Sequence, residues 1–471
     1  MSWLFYGIVE LLGIYSAYRA IMETRTAQGA VAWAIFLVSM PLAALPAYWI
    51  FGRSRFIGYK NARQIKDDYV HRSLADLSER LSSFRVTPVS AHDIDVVKTG
   101  ITTLPALRGN SAELLIDGEA TFSSIMQGIV TARSYVLFQF YIIKDDGIGT
   151  RLKELLCRKA REGVSVSFLY DEIGSHALGE GYLDDLRRAG VRVSAFNTTR
   201  GRGNRFQLNF RNHRKLVVTD GHSAWLGGHN VGDEYLGRDE KFGRWRDTHL
   251  HISGPAVMAA QLSFVEDWYW ATGDLAGDLC WEARTPSQAD LPVLVLPTGP
   301  ADRLETAGLA FSYFISRAEK RIWIASPYFV PDDATMAALQ LAGLRGLDVR
   351  ILIPERPDHR LVYLAAFAYI HEAALAGVRF FRYTQGFMHQ KVLLIDDDTS
   401  AIGTANFDNR SFRLNFEITA VITDRDFARQ TERMLEEDFR HSREMSSEDS
   451  AAKPPWFRFS ARAARLAAPL L

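Results

Sequence analysis

Two stretches of the 471-residue chain carry the same three ionisable side chains at the same spacing. NHRKLVVTDGHSAWLGGHN holds His213, Lys215 and Asp220, and MHQKVLLIDDDTSAIGTAN holds His389, Lys391 and Asp396. Asn230 and Asn406 each follow their histidine by 17 residues. A lone H-x-K-x4-D is a weak signal, whereas two copies with matching Gly-x-x-Asn tails point to one site built from two repeats. Alternation along a strand sends His213 and Lys215 to one face, and likewise His389 and Lys391. Faced across a pseudo-twofold axis, the copies form a pocket with two imidazoles, two ammonium groups and two amides. Lysines that offset anionic oxygens and amides that donate to them suit a phosphodiester. A neutral histidine can attack phosphorus, while a protonated one gives the leaving oxygen its proton and later deprotonates the incoming nucleophile.

Asp247 in WRDTHL and Glu417 in NFEITAVI head the next apolar strand of each copy, where a carboxylate can fix a histidine's tautomer and orientation. Surface salt bridging is the competing role for this pair, and turn formation after a strand is the competing role for Asp220 and Asp396. His213, His222, His229 and His249 raise the question of a metal. None forms a helical i, i+4 pair with another, and the neighbouring lysines would repel a cation, so neither metal nor cofactor is expected.

The elements around the motifs also occur twice. SYVLFQFYII, a helical segment from Ile148 to Arg161 and GVSVSFLYDE match KRIWIASPYFV, a helical segment from Ala334 to Ala342 and GLDVRILIPE. Strand, helix, strand is the order of a parallel sheet with crossover helices. LDDLRRAGVRVSAF and AALAGVRFF then each close a helix at glycine and enter another strand. Between AGVR and the histidine the first copy is longer by eleven residues, and Arg200, Arg202, Arg205, Arg211, Arg214 and Lys215 follow with no acid among them. Guidance of an anionic headgroup and a solvated loop both fit this run.

Lys and Arg total 55 against 55 Asp and Glu, so net positive charge does not hold this protein on nucleic acid. Two cysteines exclude a disulfide scaffold. Ala30 to Phe51 is a 22-residue run without charge, long enough as one helix for a hydrocarbon core of about 30 Å, with Tyr48 and Trp49 as interfacial anchors. Trp3 to Ala17 is shorter, carries Glu10 and is taken as a second span. Arg53, Arg55, Lys60, Arg63 and Lys66 outnumber Arg19 and Arg25, which places the catalytic part in the cytoplasm. In the C-terminal KPPWFRFSARAARLAAPLL, Arg458, Arg462 and Arg465 share one helical face, and Phe459, Ala463, Leu466 and Leu470 another. Such a helix either lies on anionic lipid or docks on the protein's own core.

The duplicated motifs resemble the phospholipase D superfamily signature H-x-K-x4-D-x6-G-[GST]-x-N, met by His213 to Asn230 and by His389 to Asn406. Two apolar N-terminal segments, FGRSRF, DEIGS at Asp171 to Ser175, SPYFVPD at Ser326 to Asp332 and the basic C-terminal helix look more narrowly like bacterial cardiolipin synthases. The resemblance covers essentially the whole chain. It implies an α/β fold of two phospholipase D-like repeats, with mixed, mostly parallel sheets in a pseudo-twofold arrangement behind a transmembrane hairpin. The expected divisions are 1–60 hairpin, 61–109 linker, 110–290 first domain, 291–445 second domain and 446–471 basic tail. It further implies metal-free transfer of a phosphatidyl group between phosphatidylglycerol molecules at the bacterial inner membrane, with His213 as nucleophile and His389 as general acid and base. Hydrolysis to phosphatidic acid is the first alternative and a superfamily nuclease the second, although a nuclease leaves the apolar N-terminus without a purpose.

Overall fold

The computed structural model describes residues 2–24, 26–52, 56, 59, 77–86, 104–196, 209–446, 449 and 453–471. Arg25, the basic residues Arg53, Arg55, Lys60, Arg63 and Lys66, residues 61–76 and 87–103 of the linker, and Arg200, Arg202 and Arg205 lie outside the described residues.

Helix α1 spans Ser2–Glu23, α2 Ala27–Ser39 and α3 Pro41–Phe51. The single helix expected over 30–51 is therefore two. Met40 leaves helical geometry at φ −138° and ψ 59°, and Pro41 opens α3, where its missing N–H costs nothing. Among the described residues, the one helix long and apolar enough to cross a bilayer is Trp3–Glu23, which extends the segment Trp3 to Ala17 taken as a second span. The three helices share a small core of Val9, Ala17, Ala20, Leu37, Ala44, Leu45 and Tyr48, and Trp33 meets Tyr48 edge-on.

The remainder is an α/β protein. Its first half runs β1 (Leu107–Ile116), α4 (Asp117–Thr131), β2 (Tyr135–Phe140), α5 (Gly147–Arg161), β3 (Ser165–Asp171), α6 (Glu180–Arg188) and β4 (Arg192–Phe196). Then come β5 (Arg211–Asn212), β6 (Leu216–Thr219), β7 (Ser223–Gly227), β8 (Trp245–Arg246), β9 (Thr248–Ser253) and α7 (Val257–Thr272). The second half runs β10 (Leu291–Thr298), α8 (Thr306–Arg317), β11 (Arg321–Ala325), β12 (Phe329–Val330), α9 (Asp333–Leu344), β13 (Asp348–Pro354), α10 (Arg360–Ala374) and β14 (Arg379–Tyr383). It ends with β15 (Phe387–Met388), β16 (Val392–Ile395), β17 (Thr399–Gly403), β18 (Phe407–Asp408), α11 (Asn409–Arg413), β19 (Asn415–Thr423), α12 (Arg425–Arg440), β20 (Ser442–Glu444) and α13 (Pro455–Arg465).

One continuous sheet crosses both halves. From the central antiparallel pair β1 and β10 outward, the order is β1-β9-β7-β6-β2-β3-β4 on one side and β10-β19-β17-β16-β11-β13-β14 on the other, ending at β20. The expected crossovers are present, since β2, β3 and β4 pair in parallel, as do β11, β13 and β14. The rest of this order is antiparallel, so the sheet is mixed rather than mostly parallel. Two-strand hairpins such as β6–β7 and β16–β17 have connections too short for a parallel return. Helices α6 and α10 stop just before Gly190 and Gly377, whose φ of +93° and +91° is the left-handed turn that glycine adopts without a Cβ clash. A core under both halves joins α7 residues such as Phe264 and Trp268 to α12 residues such as Met434 and Leu435. On the opposite face, α4 to α6 and α8 to α10 cover separate cores.

Two buried carboxylates tie these helices to the motif segments. Asp267 on α7 accepts from Arg214 Nη1 at 2.8 Å, Asn212 Nδ2 at 2.8 Å, Gln139 Nε2 at 2.7 Å and Tyr59 Oη at 2.9 Å. Asp438 on α12 accepts from Arg246 Nε at 2.7 Å and Nη2 at 2.8 Å, and from Gln390 Nε2 at 2.9 Å. Phe56, the last residue of FGRSRF, is buried against Phe210, Trp270 and Phe416, which fastens the chain leaving α3 to the seam between the halves. Replacing Asp267 by alanine leaves the Arg214 guanidinium buried without its counter-charge. Denaturant titration of the purified Asp267→Ala protein is expected to show a loss of about 3–5 kcal/mol, and a loss below about 1 kcal/mol would refute this role.

Candidate active site

Residues 213–215 and 389–391 are not in strands, contrary to the alternation argument. Each triplet lies between a two-residue strand and a four-residue one, β5 and β6 in the first half and β15 and β16 in the second. The short strands cross the seam. β5 pairs in parallel with the start of β19, and β15 pairs in parallel with β8. The pairing continues one residue further, with His213 N donating to Phe416 O at 2.9 Å and His389 N to Arg246 O at 2.8 Å. Each histidine is thereby set beside the residue that follows its partner strand's last paired position, which is Glu417 in one case and Asp247 in the other.

The side chains complete the exchange. His213 Nδ1 lies 2.9 Å from both Glu417 oxygens, and His389 Nδ1 lies 2.8 Å from Asp247 Oδ2. Each half's carboxylate serves the other half's histidine. Sequence reasoning named these four residues but not the crossing, because nothing in a linear motif says which copy a side chain serves. Both carboxylates are 0% exposed and both histidines 8% exposed, so surface salt bridging does not describe them. Burial opposes charge on Asp247, but Lys391, His229 and the His389 hydrogen bond outweigh it and hold its carboxyl below the usual range. Burial likewise opposes charge on Glu417, and His213, Lys215 and the Thr404 hydroxyl outweigh it.

Burial drives the histidines the other way. Desolvation lowers His213 to about 4 against the pull of Glu417, with Lys215 adding to the fall. Desolvation and Lys391 lower His389 to about 4 against Asp247. Both values lie well below 7, so burial favours the neutral form of both imidazoles. A neutral ring that donates from Nδ1 to a carboxylate keeps its lone pair on Nε2, the nucleophilic nitrogen.

Lys215 Nζ donates to the His213 carbonyl at 2.7 Å, and burial pushes it well below its ordinary value. Lys391 Nζ donates to the His389 carbonyl and lies 2.9 Å from His389 Nδ1. We assign its bond to the carbonyl, because the one Nδ1 proton faces the charged Asp247. Burial lowers Lys391 to about 8. Its charge also depresses His213 across the seam, so the two motifs form one electrostatic unit.

The copies differ where their carboxylates differ. A Cβ on Gly228 would lie 1.9 Å from Asp247 Oδ1, so the shorter carboxylate approaches over bare backbone. The equivalent residue in the second copy is Thr404, whose hydroxyl donates to Glu417 Oε2 at 2.5 Å. Asn415 Nδ2 adds a bond to Glu417 at 3.2 Å. This explains Gly-Gly in one tail and Gly-Thr in the other. His229, next to Gly228, is fully buried 5.7 Å from the ring of His249 and fills space where the other copy has only Ala405.

Other expected site residues lie elsewhere or are already bonded. Asp220 accepts from the backbone N–H groups of Arg133, Ser134 and Tyr135, and Asp396 from those of Glu319, Lys320 and Arg321. Both occupy turns at φ near +50°, at the far ends of β6 and β16 from the lysines. Their carboxylates anchor the entries to β2 and β11, which is the turn role. Asn230 accepts from Ile142 N at 3.1 Å and donates to Tyr235 Oη at 2.9 Å, while Asn406 Oδ1 has no partner among the described residues. Arg214, read as part of an exposed guiding run, is instead buried on Asp267. Tyr141 meets His213 edge-on at 4.9 Å, and Trp245 lies 5.2 Å from His389. Among the described residues, no three His, Cys, Asp or Glu side chains are grouped to hold a metal ion.

The fold, a mixed sheet flanked by helices, has a solved neighbour. The crystal structure of phosphatidylserine synthase from Haemophilus influenzae Rd KW20 superposes with a TM-score of 0.60 over 85% of this chain and 100% of that one, at 15% identity. Residues 312–439 match the family described as cardiolipin synthase, PLD-like domain. Cardiolipin synthase A of Pseudomonas putida strain F1 is 50% identical over 470 residues, covering 99% of this chain and 97% of the relative. Cardiolipin synthase A of Pseudomonas aeruginosa strain LESB58 is 48% identical over 466 residues, covering 98% and 95%. The chain belongs to the cardiolipin synthase family.

Two outcomes follow from the crossed pairs. Asp247→Asn and Glu417→Gln are each expected to lower turnover by about 10²–10⁴-fold in a folded protein, and near-wild-type turnover in either would contradict the orienting role. The pH outcome has a definite sign. Between about 6.5 and 4 the unfolded chain binds protons at these histidines that the folded chain refuses, so stability is highest above 6.5 and falls as pH drops through that window. Melting temperature against pH should be less steep in a His213→Gln/His389→Gln protein; an equal slope would contradict it.

Proposed function

We propose that the chain is a membrane-bound phosphatidyltransferase that makes cardiolipin and glycerol from two phosphatidylglycerol molecules. The crossed histidine–carboxylate pairs carry this reading, because they leave two Nε2 atoms free in one lysine-bearing site, and family membership supports the substrate. His213 Nε2 attacks the donor phosphorus, and the bond from phosphorus to the glycerol oxygen breaks as His389 gives that oxygen a proton. Burial favours the neutral form of His389, which takes up this proton as the anionic donor enters, with charged Asp247 balancing the imidazolium. The glycerol headgroup of a second phosphatidylglycerol then loses a proton to His389 and attacks phosphorus. The phosphorus–nitrogen bond breaks, and cardiolipin leaves with His213 restored. Lys215 and Lys391 offset the charge of the five-coordinate transition state, and Asn230 and Asn406 line the site. Burial of both rings restricts water and supports transfer over hydrolysis.

In this reading the halves, 110–290 and 291–445, are repeats related by a pseudo-twofold axis. The matching strand orders on either side of β1 and β10 support it. The same reading places α1 across the bacterial inner membrane, with α2 and α3 as the return of a hairpin and the catalytic part in the cytoplasm.

Purified protein given labelled phosphatidylglycerol is expected to yield cardiolipin and glycerol, with His213→Ala and His389→Ala each losing nearly all turnover while remaining folded. Phosphatidic acid as the sole labelled product would establish hydrolysis instead.

A further inference from the structure

Helix α13 has three faces. Phe457, Ala461 and Ala464 dock on α10, where the rings of Phe367 and Phe457 meet edge-on at 5.0 Å and Arg465 bonds Glu372 at 2.9 Å. Trp456, Phe459 and Leu466 form a stripe that is 67%, 75% and 84% exposed. Arg458 and Arg462 stand on the third face and make no ion pair among the described residues. Docking and exposure, set as alternatives by the sequence, both occur, on different faces of one helix.

Between α10 and α13 lies a cleft of about 730 Å³, room for a headgroup and part of an acyl chain. Phe367, Leu375 and Phe457 give it apolar walls, and Lys453, Arg458 and Arg462 line it with positive charge. Glu372, its one acidic lining residue, is paired with Arg465. None of the lining residues belongs to the histidine cluster.

We propose that this cleft binds a bilayer phospholipid with an anionic headgroup, at a site separate from the catalytic one. The phosphate sits among Lys453, Arg458 and Arg462, and an acyl chain lies along Phe367 and Leu375. Trp456, Phe459 and Leu466 enter the adjoining interface, where a basic face beside an apolar one is favoured on anionic lipid. An acidic peptide would meet the same cations but would leave that apolar stripe in water. The proposal rests on the membrane setting of the proposed function and not on its chemistry.

The test uses full-length Phe459→Cys protein carrying an environment-sensitive fluorophore, in a Cys157→Ser/Cys280→Ser background, reconstituted in phosphatidylcholine vesicles. Brominated phosphatidylserine and brominated phosphatidylcholine are compared as quenchers. Quenching is expected to favour the anionic lipid by about fivefold, and Arg458→Glu/Arg462→Glu is expected to abolish the preference. Equal quenching by both lipids, no quenching by either, or a preference that survives the charge reversal would each overturn the proposal. No quenching would leave the groove to an acidic protein segment. Cardiolipin formation in the same vesicles keeps the two readings apart: no preference in the protein with Arg458 and Arg462 intact, alongside normal synthesis, overturns the lipid site alone, and absent synthesis with the preference present overturns the reaction alone.

Discussion

The structure depends on keeping two imidazoles buried, neutral and correctly turned among two lysines. Desolvation lowers both rings to about 4, and the carboxylates beside them fix orientation without restoring the charge. Each carboxylate comes from the opposite half, so neither half contains an oriented histidine alone. The parallel pairs β5–β19 and β15–β8, only two residues long, deliver each histidine to the other half's carboxylate.

Buried charge needs a partner, and beyond the histidines two buried arginines have theirs. Arg214 with Asp267 and Arg246 with Asp438 form an outer layer that pins the segments carrying His213 and Asp247 to α7 and α12. The halves solve the same problem with different parts. An aspartate over Gly228 and a glutamate held by Thr404 both reach a histidine Nδ1, because the shorter acid needs closer backbone and the longer one leaves room for a hydroxyl. The environments are consequently unequal around similar geometry, which fits a reaction that asks different things of its two histidines.

Much of this was legible in the sequence. The doubled motif named the histidines, lysines and carboxylates, and apolar runs separated by helical segments identified the parallel outer strands. Spacing does not encode which copy partners which, so the exchange across the seam was invisible. Asp220 and Asp396 recur with the histidines and lysines, and a recurring residue equally marks a recurring turn. Asp267 and Asp438 lie on helices away from any motif, and their only signal was a lone acid within an apolar helical face. The break at Met40 was written in Pro41, whose ring is as well suited to starting a helix as to interrupting one.

If the motifs form one site, a single phosphate analogue must engage both histidines. The most direct measurement is an experimental structure of the protein with orthovanadate, which adopts five-coordinate geometry. The expected result is one vanadium per chain, bonded to Nε2 of one histidine, with Nε2 of the other about 3 Å from a vanadate oxygen. Two vanadates bound independently, or one with the second ring beyond hydrogen-bonding reach, would contradict the shared site.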